Sequence, residues 1–486
     1  MSTFAPFDPW AVFERASVRW PDRPALRVDG RTWSYAELHA EALIIANWCD
    51  STLPPAARVG LLGLRSVTSY AGVLGILYSG RSYVPLHPDH PPERWQQCLQ
   101  QAAASGLVAP AEQHERLRSL FDLPLNERSG PARGGPVPGQ EAYVMFTSGS
   151  TGGPKGVPVG RSHVSAYLEH ALATWDIQVE DRCTQLFSLG FDLSVHDLFV
   201  CWGSGACLCV PADDNALRLS AYVQEEGVTV WFSVPSVIAL LHRMRALKGG
   251  AFPTIRRSFF CGEALRWPDV KAWSIAAPNS SITNLYGPTE ATIAILEHPI
   301  TAPFEEEGVV PIGRPFPMAS ARVEPTDGDV QIGELWLAGP QVTTGYVGRP
   351  EETRKAYVAS GQSGPAWYRT GDRVRKDAAG VYHYLGRIDE QVKIAGHRVE
   401  PGEVDACLAG KLSGGRAVTV SVERNGMQRL VTFIDMPMDT AEVARYAAAH
   451  LPAYMVPEQV LVLNTFPMNS NGKVDKVALK ERARHA

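Results

Sequence analysis

Apolar, strand-like runs alternate with helix-like segments through most of the first 385 residues, and few architectures accommodate that alternation. RVGLLGL (58–64) and SYVPLHP (82–88) flank SVTSYAGVLGILYSG, an apolar helical stretch ending at Gly80. VTVWFSVP (228–235) leads in the same way into SVIALLHRMRAL. Strand, helix and strand in succession imply a parallel sheet covered by helices, so the fold class expected is α/β. Past residue 388 the character changes. RAVTVSVER and RLVTFID read as paired strands about a turn at Asn425–Gly426, and DTAEVARYAAAHL reads as a helix capped by Asp439 or Thr440. The chain therefore divides into a large N-terminal domain of mostly parallel sheets, 1–388, and a small C-terminal α+β domain, 389–486.

Composition removes several function classes. A net charge of −5 gives no general attraction to nucleic acid or to an anionic membrane. No apolar run approaches a bilayer-spanning length, and the acidic N-terminal stretch has no signal-peptide core. The eight cysteines are scattered, and none stands at a zinc-site spacing with histidine. They read as reduced, mostly buried thiols of a cytoplasmic protein.

Chemistry first shows at Tyr143–Gly160, YVMFTSGSTGGPKGVPVG. An apolar strand feeds a loop of Thr147, Ser148, Gly149, Ser150 and Thr151 that ends in Lys155. Small residues let backbone N–H groups approach an anion, the hydroxyls add donors and the lysine adds a cation. The loop reads as a phosphate cradle rather than a flexible linker. It is not a Walker A loop, because Pro154 precedes the lysine. NLYGPTEAT (284–292) offers the ring of Tyr286 to a base and the carboxylate of Glu290 to Mg²⁺. Asp372 ends YRTGD, Arg387 and Asp389 belong to GRID, and Lys473 lies on the turn of NSNGKVDK.

Each fragment is weak alone, but their order is specific. TSGSTGGPKG, FDLSVHDLF, NLYGPTEAT, GELWLAGPQVTTGY, YRTGD, GRIDEQVKIAGHRVEPGEVD and NSNGKVDK make the chain resemble the adenylate-forming superfamily over nearly its whole length. The match is closest to the adenylation domains of nonribosomal peptide synthetases. SGRSYVPLHP departs from the commoner Gly-Gly-Ala-Tyr-Val-Pro pattern, which touches packing more than chemistry.

The resemblance implies two reactions: a carboxylate attacks the α-phosphate of ATP to give an acyl adenylate, and a thiol then takes the acyl group. By that resemblance Lys473 bridges carboxylate and α-phosphate. Glu290, with Thr147, holds Mg²⁺. The 147–155 loop serves the β- and γ-phosphates. Tyr286 stacks on adenine, with Asn284, Leu285, Gly287, Pro288 and Thr289 around it and Gly262, Glu263 and Ala264 along the nucleotide. Asp372 binds the ribose hydroxyls, assisted by Arg387. Asp389 is the hinge about which a mobile C-terminal domain turns between the reactions.

Asp192 decides the acid. In amino-acid-activating members an aspartate here pairs with the substrate ammonium; the other reading of Asp192 is a helix N-cap. The motif alignment lines the pocket with Asp192, Leu193, His196, Phe232, Phe259, Cys261, Leu285, Ile293 and Ala294. This set carries no fixed charge besides Asp192, and His196 reads either as packed wall or as ligand. The expected substrate is a small apolar L-amino acid, L-proline first, with alanine, glycine and serine as alternatives. Only 13 residues follow Lys473 and hold no carrier domain, so the expectation is a free-standing enzyme with a separate phosphopantetheinylated peptidyl carrier protein as partner. A small activator protein stays open. The rival readings are a ligase that uses free CoA and a non-catalytic nucleotide-binding homologue.

Overall fold

The structure is a computed structural model describing residues 5–127, 135–149, 153–212, 216–326, 329–359, 366–412, 414–424, 427–469 and 473–485. Ser150 and Thr151 of the loop and the Asn425–Gly426 turn lie outside the described residues. The chain forms two compact units: 1–88, 99–145 and 156–386 make the first, and 89–98, 146–155 and 387–486 make the second.

The first unit contains the expected parallel sheets. One sheet runs in the order Arg314–Pro315, Leu296–Ile300, Ser281–Tyr286, Arg257–Phe260, Val230–Ser233, Arg182–Thr184, Cys207–Cys209, Pro24–Val28 and Arg31–Ser34. Its central strands, Ser281–Tyr286 through Pro24–Val28, are parallel, and antiparallel strands close both edges. A second sheet orders Gly106–Val108, Arg58–Leu62, Ser82–Leu86, Glu141–Thr147 and Lys155–Gly160. An antiparallel sheet built on Ile332–Ala338 and Trp367–Lys376 follows later in the chain.

Local sequence explains the covering helices. Helix Tyr35–Thr52 begins with a reciprocal cap: the Ser34 hydroxyl accepts the Glu37 amide at 3.2 Å, and the Glu37 carboxylate accepts the Ser34 amide at 2.8 Å. Helix Val67–Tyr78 is apolar all round because it is enclosed all round. Gly75 lets the two helices touch: a Cβ there would meet the Ala42 carbonyl at 2.4 Å. The expected stop at Gly80 holds, with φ +72° and the amides of Gly80 and Arg81 returning to Leu77 and Ile76 at 3.1 Å. Helix Leu193–Gly203 is also sunk in the core, where Trp202 packs edge-on to Phe13 at 5.4 Å.

In the second unit Ala417–Arg424 pairs antiparallel with Met427–Ile434, which pairs parallel with Gln459–Val462. Helices Pro401–Ala409, Thr440–His450 and Lys476–His485 flank this sheet. Asp439 is the N-cap of Thr440–His450 and accepts the Ala441 amide at 2.9 Å. All eight cysteines are free thiols, seven buried and Cys407 half-buried. Among the described residues no helix is long and apolar enough to cross a membrane.

Candidate active site

Strand Ser281–Tyr286 delivers a tight turn, 287–294, at its C-terminal end. A Cβ on Gly287 would lie 2.6 Å from the Ala294 Cα, so only glycine permits this fold-back. Thr292 and Ile293 have φ +54° and +71°, left-handed values that are strained for β-branched residues. Gln341 holds them: its Nε2 donates to the carbonyls of Thr292 and Ala294 at 3.3 and 2.6 Å, and its own carbonyl accepts the Thr292 hydroxyl at 2.7 Å. The turn places Glu290 at zero exposure, where its carboxylate accepts the Tyr346 hydroxyl at 2.7 Å and its carbonyl accepts the Thr343 amide at 2.8 Å.

The same turn reaches Asp192. This aspartate occupies the N-cap position of helix Leu193–Gly203 without a side-chain capping bond. Its Oδ2 accepts the Ile293 amide at 3.3 Å, and the Thr289 side chain also bonds to it. Burial raises its pKa to about 6 against these bonds, with Glu290 adding to the rise. A buried carboxylate with this environment is suited to a cationic ligand.

Leu193, His196, Phe232, Phe259, Cys261, Leu285, Ile293 and Ala294, the residues assigned to the pocket from the sequence, are all buried. His196 is packed among aromatic rings. Its Nδ1 meets the Tyr167 hydroxyl at 2.6 Å, and its ring lies 4.2 Å from Phe232, 5.4 Å from Trp175 and 5.5 Å from Phe259. Burial pushes its pKa down to about 3, so the imidazole is neutral. Tyr167 and Trp175 escape a motif reading, since they sit on and just after helix Arg161–Thr174, outside the motifs quoted from the sequence.

The nucleotide candidates of the first unit divide by role. Asn284 is buried; its Nδ2 donates to the Pro311 carbonyl at 2.9 Å and its Oδ1 has no hydrogen-bond partner. The Tyr286 hydroxyl donates to Asp372 at 2.5 Å, and the Asp372 amide returns to Thr370 Oγ1 at 3.0 Å. Gly262 has φ +92°, the half-buried Glu263 accepts the Ser236 amide at 2.8 Å, and Ala264 is exposed.

The remaining candidates belong to the second unit. Thr147 Oγ1 is buried without a hydrogen-bond partner. Ser148 donates its hydroxyl to the Arg398 carbonyl at 2.6 Å, and the Gly149 amide donates to Glu403 at 3.2 Å. A Cβ on Gly149 would meet the Gly153 carbonyl at 2.2 Å, so this bend requires glycine. Lys155 is buried. Arg387 and Asp389 form a fork-to-fork ion pair, Nε and Nη2 reaching Oδ1 and Oδ2 at 2.8 and 2.6 Å. Lys473 is exposed, and Asn469 Oδ1 accepts its amide at 3.0 Å.

The buried Glu290 and Asp192 carboxylates, the unpartnered Asn284 Oδ1 and the Tyr286–Asp372 pair gather about the strand Ser281–Tyr286 and the turn that follows it; the family match makes the protein an AMP-forming ligase. The chain belongs to the AMP-binding enzyme family, whose pattern matches residues 13–347, and so to the adenylate-forming superfamily. AMB antimetabolite synthetase AmbB of Pseudomonas aeruginosa is 34% identical over 96% of the chain and 38% of its own length. A dimodular nonribosomal peptide synthase of Bacillus subtilis is 32% identical over 96% of the chain and 20% of its own length. The chain thus spans a minor part of these curated relatives. The solved adenylation domain AlmE of Vibrio cholerae, in complex with glycyl-adenosine-5'-phosphate, is 28% identical, with TM-score 0.85 over 100% of this chain and 99% of that one. Enzymes of this class use ATP, and these relatives place the chain with the amino-acid adenylation domains.

Proposed function

We propose that the protein activates a small apolar L-amino acid as its aminoacyl adenylate and passes it to the phosphopantetheine thiol of a separate peptidyl carrier protein. The observation carrying this reading is Asp192, a buried carboxylate among apolar residues, which an ammonium would neutralise. A fatty or aryl acid would leave that charge unmatched, at a cost of several kcal/mol. L-Proline is the first candidate, with alanine and serine next. The aromatic rings packed about His196 also favour glycine, the residue named in the AlmE complex.

The residues fit the nucleotide. Asn284 Oδ1 is free to accept the adenine amino group, Tyr286 offers a ring face, and Asp372 offers carboxylate oxygens to the ribose. Glu290 is the protein ligand we assign to Mg²⁺, which would neutralise phosphate charge there; Thr147 has a hydroxyl to spare for the same purpose. In an in-line displacement the protein contributes position and positive charge. We assign Lys473 to the meeting of carboxylate and α-phosphate, and Asp389 to the hinge between domains 1–388 and 389–486. Lys473→Ala is expected to slow amino-acid-dependent pyrophosphate exchange by at least about 100-fold while transfer from preformed adenylate persists. Pyrophosphate exchange against the proteinogenic amino acids tests the substrate, and transfer to a holo carrier against free CoA tests the acceptor. Exchange with none of them would overturn the reading.

A further inference from the structure

The second unit contains a buried ion pair that the chemistry above does not use. Arg94 Nη1 bonds to Glu403 Oε1, and both side chains are buried, at 7% and 3% exposure. The other oxygen, Oε2, accepts the Gly149 amide at 3.2 Å. Beside it the Ser148 hydroxyl donates to the Arg398 carbonyl at 2.6 Å. Two donors of the Gly/Ser/Thr loop therefore already hold acceptors, and one of these acceptors is anionic. A carboxylate on a loop amide offers the same thing a phosphate oxygen offers: negative charge along the N–H direction.

We propose that Glu403 is a built-in phosphate surrogate: held by Arg94, it occupies the Gly149 amide and competes with the nucleotide's polyphosphate for the loop. This rests on the reading of 147–155 as the phosphate loop. A protein N–H cannot donate fully to both anions, and the two anions repel each other, so occupation by one opposes occupation by the other. Apparent phosphate affinity is then lowered by the fraction of molecules in which Glu403 is seated. Once pyrophosphate has left, Glu403 satisfies the amide and disfavours its return.

Competition and simple charge make opposite forecasts for one variant. Arg94→Gln removes a cation near the loop, so charge alone would weaken anion binding. If Arg94 acts by seating Glu403, its loss frees Gly149 and pyrophosphate binds more tightly. Titration calorimetry of the full chain with magnesium pyrophosphate is expected to show about tenfold tighter binding in Arg94→Gln, the order set by one charged hydrogen bond. Breaking a buried pair can unfold a protein. Arg94→Gln/Glu403→Gln removes both charges together and is expected to bind more tightly as well. Equal or weaker pyrophosphate binding in folded Arg94→Gln, or in the double variant where the single one does not fold, overturns the proposal. In an enzyme that still catalyses amino-acid-dependent exchange, that result leaves the proposed function standing; absent exchange in the wild type sinks the function itself.

Discussion

Asp192 carries the specificity argument, and its cost to the fold can be measured. Its pKa of about 6 lies above the ordinary 3.8, so on acidification through that window the folded protein takes up a proton that the unfolded chain does not. The ionised side chain therefore destabilises the fold above pH 6, and the penalty fades as pH falls toward 3.8. The upper bound is about 3 kcal/mol. Asp192→Asn is expected to raise the thermal midpoint at pH 8, with the gain shrinking by pH 5, in parallel melts of the two proteins. A lower midpoint at pH 8 would show that the ionised carboxylate stabilises the fold. Ammonium recognition needs the carboxylate, so the wild-type amino-acid KM should rise as pH drops below about 6. This residue was legible in the sequence through its motif. Its freedom from capping was not, because a cap position and a capping bond are indistinguishable until the side chain is placed.

The element that links Asp192 to the strand Ser281–Tyr286 is the 287–294 turn. NLYGPTEAT announced its chemistry, but the need for glycine at 287 was not read from the sequence. The left-handed backbone at Thr292 and Ile293 was not legible, since β-branched residues avoid it and only tertiary bonds from Gln341 and Asp192 enforce it. Gly287→Ala is expected to cost about 2–4 kcal/mol, because the new methyl meets backbone rather than a yielding side chain. Chemical denaturation checks this; a cost below about 0.5 kcal/mol would mean that the turn relaxes freely. Parallel strands and apolar helices were read from their long runs, as at Arg58–Leu62 and Val67–Tyr78. The rings of Tyr167 and Trp175 packed about His196 were invisible, because no local pattern reports which residues a crossover brings together.

For the whole molecule, composition changes marked a division near residue 388, while the compact units divide at 386 and 387 and assign 89–98 and 146–155 to the second. Those two internal segments could not be assigned from sequence, because their partners are distant in the chain. Arg387 and Asp389, both in the second unit, pair with each other at the position assigned to the hinge. Asp389→Pro fixes the backbone there and removes an amide. Pyrophosphate exchange should persist in that variant while thioester formation on a holo carrier fails; equal loss of both would refute the hinge. Amino-acid recognition by Asp192 is the central proposal. The direct test is ATP–pyrophosphate exchange by wild type and Asp192→Asn, side by side, with proline, glycine, alanine and serine. The expected result is exchange with a small amino acid in the wild type and a loss of at least about 100-fold in the variant, with nucleotide affinity retained. Undiminished amino-acid-dependent exchange in Asp192→Asn would contradict it.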